Sequence, residues 1–147
     1  MASKKSHSVY IAIGSNIGNK KNNLLTAIQQ INLTIGTVTE ISSFLENKAQ
    51  GFETQNIFLN ACIICITNYS PIETLDKLKK IEVNMGRKNS QGFYEDRIID
   101  LDIIFYDQLV YESDILTIPH KKYKDRDFIL LPLSELSPNE KLKKNKI

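Results

Sequence analysis

The chain has 147 residues, 41% of them hydrophobic, enough for one domain whose folding removes roughly 70% of the unfolded surface from water. Its charged and aromatic fractions, 24% and 8%, are those of an ordinary globular protein. No apolar run approaches the roughly 20 residues of a membrane-spanning helix, which excludes a chain that crosses a membrane by helices. Nineteen basic against seventeen acidic residues leave a net charge of +2, too little for a protein that works by coating a nucleic-acid backbone. The polar start, Met1 to Ser8, lacks a secretory signal, so a cytoplasmic protein without disulfides is expected.

A short strand over Val9 to Ile13 runs into Gly14-Ser15-Asn16-Ile17-Gly18-Asn19, a sequence suited to a tight turn. Leu24, Leu25, Ile28, Ile31 and Ile35 then fall on one helical stripe, with Asn19 or a neighbouring asparagine as N-cap and Gly36 as terminator. The Gly14 to Gly18 turn lacks the spacing and the lysine of a Walker motif. Thr37 to Phe44 and Ile57 to Ile66 read as the second and third strands, with a long polar loop over 45–56 between them. Ser70-Pro71-Ile72-Glu73 is a capping box with proline at the first helical position. It opens a helix with the stripe Ile72, Leu75, Leu78, Ile81 and Met85, which ends at Gly86.

The basic, glycine-containing stretch up to Arg97 suits a mobile lid. Ile98 to Tyr106 reads as a fourth strand, Asp107-Gln108 as a hairpin turn and Leu109 to Tyr111 as a returning strand. A short helix broken at Pro132 is expected over Asp125 to Leu136. Residues 1–7 and 138–147 are expected to fray around a single domain spanning 1–147. The order β, α, β, β, α, β implies an α+β, ferredoxin-like fold, an antiparallel sheet with helices packed on it as an αβα sandwich.

Cys62 and Cys65 form a C-x-x-C pattern inside an apolar strand. Residues three apart on a strand point to opposite faces, so the two sulfurs share neither a disulfide nor a metal. Asp100 and Asp102, two apart, project from one face of an otherwise apolar strand. Paired carboxylates repel unless a cation joins them, and oxygen-only ligation that leaves room for phosphate suits Mg²⁺. The plainer alternative has them at a strand end, facing solvent or paired with Arg97 and Lys88. Glu82 lies on the apolar stripe of the second helix. It either borders a polar cleft, where it contacts ligand or orients Arg87, or it is solvated at the rim of the core. Arg87, Lys88, Arg97, His120 and Arg126 accumulate beside these acids, and acids with arginines together imply a polyphosphate.

Arg97-x-x-Asp100-Leu101-Asp102-Ile103, preceded by Glu82-x-x-x-Gly86-Arg87 and followed by Pro119-His120 and Arg126-x-Phe128, resembles the signature of the 6-hydroxymethyl-7,8-dihydropterin pyrophosphokinases of folate synthesis. Ile11 to Gly18 and Phe58-Leu59-Asn60-Ala61 are similar as well, and the resemblance covers nearly the whole chain. It implies transfer of the diphosphoryl group of ATP to the pterin hydroxymethyl group. Asp100 and Asp102 would hold two Mg²⁺ ions, and Arg87 and Arg97 would close over the phosphates. His120 and Arg126 would contact the triphosphate, with Glu82, Tyr94, Thr117 and the Ile103 backbone lining the nucleotide site. Phe58 and Phe128 would sandwich the pterin, Asn60 would bond its edge, and Asn47 and Gln50 would add loop contacts. Departures from the family pattern include Asn47-Lys48-Ala49 and Tyr94-Glu95-Asp96. A monomer acting on ATP and the pterin, with no nucleic-acid or membrane partner, is expected. The rival of another class is an RNA-binding module of the same strand order, which needs paired aromatics on its central strands where this chain offers only Phe58.

Overall fold

The computed structural model describes residues 5–48, 57–86, 98–121 and 123–136. Among these described residues seven strands and three α-helices follow in the order β1 (His7–Ser15), α1 (Lys20–Thr34), β2 (Gly36–Ile41), β3 (Leu45–Lys48), β4 (Ile57–Thr67), α2 (Pro71–Asn84), β5 (Asp100–Tyr106), β6 (Tyr111–Glu112), β7 (Thr117–Ile118) and α3 (Asp127–Glu135). The main sheet is antiparallel with order β2-β4-β1-β5, and β3 pairs beside β2 on the same edge of β4. This is the expected ferredoxin-like α+β arrangement.

Strand alternation divides the core in two. Val9, Ile11, Ile13, Ala61, Ile63, Cys65, Leu101 and Ile103 face α1 and α2, meeting Leu24, Ile28, Ile31, Leu75, Leu78 and Ile81. Tyr10, Cys62, Ile64, Ile104 and Phe105 face the other way and are covered by Ile129, Leu133 and Leu136 of the α3 segment. The two cysteines are buried, free and on opposite faces, as their spacing requires. A β-bulge sets both Ile104 and Phe105 opposite Tyr10, so Tyr106 returns to the α1/α2 side.

Local chemistry starts and stops the helices. Asn19 caps α1 by accepting the Asn22 N–H at 3.1 Å. Ser70 and Glu73 exchange both bonds of the capping box, at 3.2 and 3.0 Å, with Pro71 in the first turn of α2.

Several sequence expectations are corrected. Leu25 is exposed, and the buried face of α1 is Leu24, Ala27, Ile28 and Ile31. The second strand stops at Ile41, and the polar stretch expected as a loop contains β3, whose backbone pairs with residues 57–60. His7 is not frayed: it is paired with Thr67 in β1, and its ring bonds Asp107 at 2.7 Å. The fourth strand begins at Asp100 rather than Ile98. The returning strand expected over Leu109 to Tyr111 does not form: only Tyr111 of it is in a strand, β6, which pairs with β7 in a separate two-stranded sheet. Pro132 sits inside α3 without breaking it. The expected lid lies in 87–97, and the C-terminal tail in 137–147, outside the described residues.

Candidate active site

Where β1 ends and β4 and β5 begin, the face of the sheet turned toward α3 becomes polar. The register places Asn60, Gly14 and Asp100 in one row across β4, β1 and β5, with Cys62, Ala12 and Asp102 in the next. Cross-strand partners share a face, so both aspartates project on the side that carries Asn60. Adjacent strands are about 4.8 Å apart, which sets Asp100 roughly 10 Å from Asn60 along the row. Both aspartates are half-buried. Among the described residues no cluster of three or more His, Cys, Asp or Glu side chains forms that could hold a metal. A pair of carboxylates on one face suits Mg²⁺, which keeps waters and takes its other oxygens from phosphate.

The other end of the row is shaped by a missing side chain. A Cβ on Gly14 would lie 2.7 Å from Asn60 Oδ1 and 3.6 Å from Phe58 Cδ1, so the absence of a side chain lets both residues lie against the β1 backbone. The Asn60 amide donates to Asn47 Oδ1 on β3. That bond leaves the Asn60 carbonyl and the second amide hydrogen for other partners. Phe58 stands on this same face, and Phe128, in the first turn of α3, packs at the margin of the core beneath α3. The Arg126 guanidinium lies 5.5 Å from the centre of the Phe128 ring, within cation–π range, which links a phosphate-binding type of side chain to an aromatic one.

The outer edge of β5 supplies the remaining groups. The Leu101 N–H turns away from β1 and donates to Glu82 Oε2 at 2.8 Å. By the alternation of an antiparallel pair, the Ile103 backbone faces that same outer edge while its side chain is buried in the core. His120 is held there by its own N–H, which donates to the Ile104 carbonyl at 3.0 Å. Thr117, half-buried in β7, precedes it.

Glu82 is neither solvated nor at an open rim. It is 7% exposed, inside the protein. Of the expected site residues, Asn47, Phe58, Asn60, Asp100, Asp102 and Phe128 are on the α3 side of the sheet, while Glu82, Ile103, Thr117 and His120 belong to the β5 edge. Arg126 joins them at the start of α3. Arg87, Tyr94, Arg97 and Gln50 lie outside the described residues. Reading the sequence alone missed the role of Gly14 as the seat for Asn60. The signal available was a glycine at the end of a strand, where the chain also needs one for the turn.

No helix among the described residues is long and apolar enough to cross a membrane. Among curated proteins, the chain is 38% identical over 131 residues to the 2-amino-4-hydroxy-6-hydroxymethyldihydropteridine pyrophosphokinase of Aquifex aeolicus, covering 89% of this chain and 81% of that one. It is 35% identical to the protein of the same name from Porphyromonas gingivalis, covering 88% and 90%. A folate synthesis bifunctional protein of Arabidopsis thaliana is 40% identical over 139 residues, covering 95% of this chain and 29% of that one. Among solved structures, the HPPK-DHPS of Plasmodium falciparum with pterin and p-hydroxybenzoate matches with a TM-score of 0.70. That match has 16% identity and covers 90% of this chain and 38% of that one, a likeness of fold alone. Residues 10–138 match the family model described as 7,8-dihydro-6-hydroxymethylpterin-pyrophosphokinase, and the chain belongs to that family.

Proposed function

We infer that this site transfers the diphosphoryl group of ATP to the hydroxymethyl group of 6-hydroxymethyl-7,8-dihydropterin, the step of folate synthesis its family carries out. The hydroxymethyl oxygen forms a bond to the β-phosphorus of ATP, the bond from that phosphorus to the α-phosphate oxygen breaks, AMP leaves, and the hydroxyl proton is released. The observation that carries this reading is the row Asn60–Gly14–Asp100, which sets a ring-edge amide and a carboxylate pair on one face, two strands apart.

Asp100 and Asp102 would hold Mg²⁺, two ions in this reading, and the metal would supply positive charge against the triphosphate. Arg87 and Arg97 stabilise the charge that grows on the transferring phosphates. His120 and Arg126 orient the triphosphate from the β5 edge and the start of α3. Tyr94, Thr117 and the Ile103 backbone line the nucleotide. Phe58 and Phe128 stack on the pterin while Asn60, with Asn47 and Gln50, bonds its edge. Such a transfer asks the protein chiefly for alignment and electrostatic stabilisation. The enzyme works as a cytoplasmic monomer, which sedimentation of the purified chain checks.

The deciding assay supplies ATP, Mg²⁺ and the reduced hydroxymethyl-pterin, and follows the nucleotide product. AMP that forms only with the pterin present is expected. ADP would place the cleavage at the wrong phosphorus and end this reading.

A further inference from the structure

Glu82 stands where three physical preferences oppose a carboxylate. It lies on the apolar stripe of α2 and is almost wholly buried. It sits in the last turn of that helix, the negative end of the dipole, and no basic residue shares that turn. One bond it makes bears directly on the strand beside it. Its Oε2 accepts the N–H of Leu101, the residue between Asp100 and Asp102, at 2.8 Å. An N–H on the outer edge of a strand can be satisfied by water at little cost. A buried side-chain oxygen anchored on a helix holds that N–H in one direction, which an exchanging water does not.

We propose that Glu82 is a positioning residue for the metal carboxylates, acting through the peptide that joins Asp100 to Leu101. The segment is thereby held on three sides: β1 pairs with it on one edge, the Leu101 side chain is anchored in the core, and Glu82 clamps the other edge. The orientation of that peptide sets the directions in which the flanking aspartates project. The proposal rests on the assignment of Asp100 and Asp102 to Mg²⁺, and concerns how they are aimed.

The test measures metal binding directly, by Mn²⁺ titration of the full chain with α,β-methylene ATP, followed by electron paramagnetic resonance. Glu82→Met removes the acceptor while filling the space, and Glu82→Asp keeps the charge but falls one methylene short of Leu101. Each should weaken Mn²⁺ binding by about 10- to 100-fold, as loss of a group that orients metal ligands typically does. Glu82→Gln retains an oxygen acceptor and should stay within about threefold of wild type. In the unsubstituted protein the Leu101 amide should exchange slowly with solvent.

Wild-type Mn²⁺ affinity in folded Glu82→Met or Glu82→Asp would overturn the proposal and leave Glu82 as a strand-edge cap. Equal weakening in Glu82→Gln would overturn it too, by assigning the effect to charge. A fast-exchanging Leu101 amide would do so even if the substituted chains failed to fold. Failure of the underlying assignment looks different: the unsubstituted protein would bind no Mn²⁺ with the nucleotide, or Asp100→Ala would bind it equally well.

Discussion

The two aspartates of β5 are tolerated in a strand because both side chains are half-buried rather than enclosed, so the carboxylates keep some hydration. Their removal separates folding from chemistry. Asp100→Ala and Asp102→Ala relieve a repulsion, so denaturant midpoints should hold or rise slightly. Turnover should fall at least about a hundredfold, since several kcal/mol of charge stabilisation depend on the metal. A Gly14→Ala change acts on the other substrate. Its Cβ, 2.7 Å from Asn60 Oδ1, forces the amide to shift. If Asn60 bonds the pterin edge as proposed, that lost hydrogen bond should raise the KM for the pterin about tenfold and leave that for ATP unchanged.

The cysteines sit at the opposite pole of reactivity. Burial pushes the thiols of Cys62 and Cys65 up from 9.0 to about 12 and about 11. Neither should react with a disulfide reagent until the protein unfolds. The unfolded chain loses these protons near pH 9 while the folded chain keeps them. The stability they contribute is therefore complete below pH 9 and lost as pH rises toward the folded values, which base titration of the unfolding free energy would show.

At the scale of elements, α2 and α3 are secured in different ways. The start of α2 is local, built from a capping box four residues long, and Ser70→Ala should cost about 1 kcal/mol in chemical denaturation. The end of α3 is tied across the chain. Glu135 accepts the Ser43 N–H at 2.8 Å and its hydroxyl at 2.5 Å, fixing α3 to the junction between β2 and β3. Those bonds, the hydroxyl first, hold the Glu135 carboxyl below the ordinary glutamate range. The contribution is present above that range and lost as pH falls through the lowered value. The stability difference between wild type and Glu135→Ala should accordingly shrink on acidification. Because α3 carries Phe128 and β3 carries Asn47, this tie also joins two elements to which the proposed function assigns pterin contacts.

Over the whole molecule, the proposed metal, nucleotide and pterin residues gather on the α3 face and the β5 edge of one sheet, so ligand binding there should be read out as global stability. Ligand at a hundred times its dissociation constant raises the unfolding free energy by about 2.7 kcal/mol. Mg²⁺ with α,β-methylene ATP should therefore raise the melting temperature of the wild-type chain. Asp102→Ala should lose that increment while melting unliganded like the parent.

How much of this was legible depended on how far apart the interacting residues lie. The first and third strands, the α2 capping box, the opposed cysteines and the shared face of Asp100 and Asp102 follow from spacing of one to four residues, where backbone geometry alone dictates direction. The strand β3 was not legible, since Leu45-Glu46-Asn47-Lys48 has no apolar period of its own and becomes a strand only because β4 offers an edge. The exposure of Leu25 and the pairing of β6 with β7 rather than β5 were likewise set by neighbours outside the local window. The sequence by itself determined the fold class, the acidic pair and the family. Only the tertiary structure decided that Glu82 clamps Leu101 and that Gly14 seats Asn60. The reason is that a hydrogen bond across 19 residues, or a contact between two strands, has no periodicity to announce it.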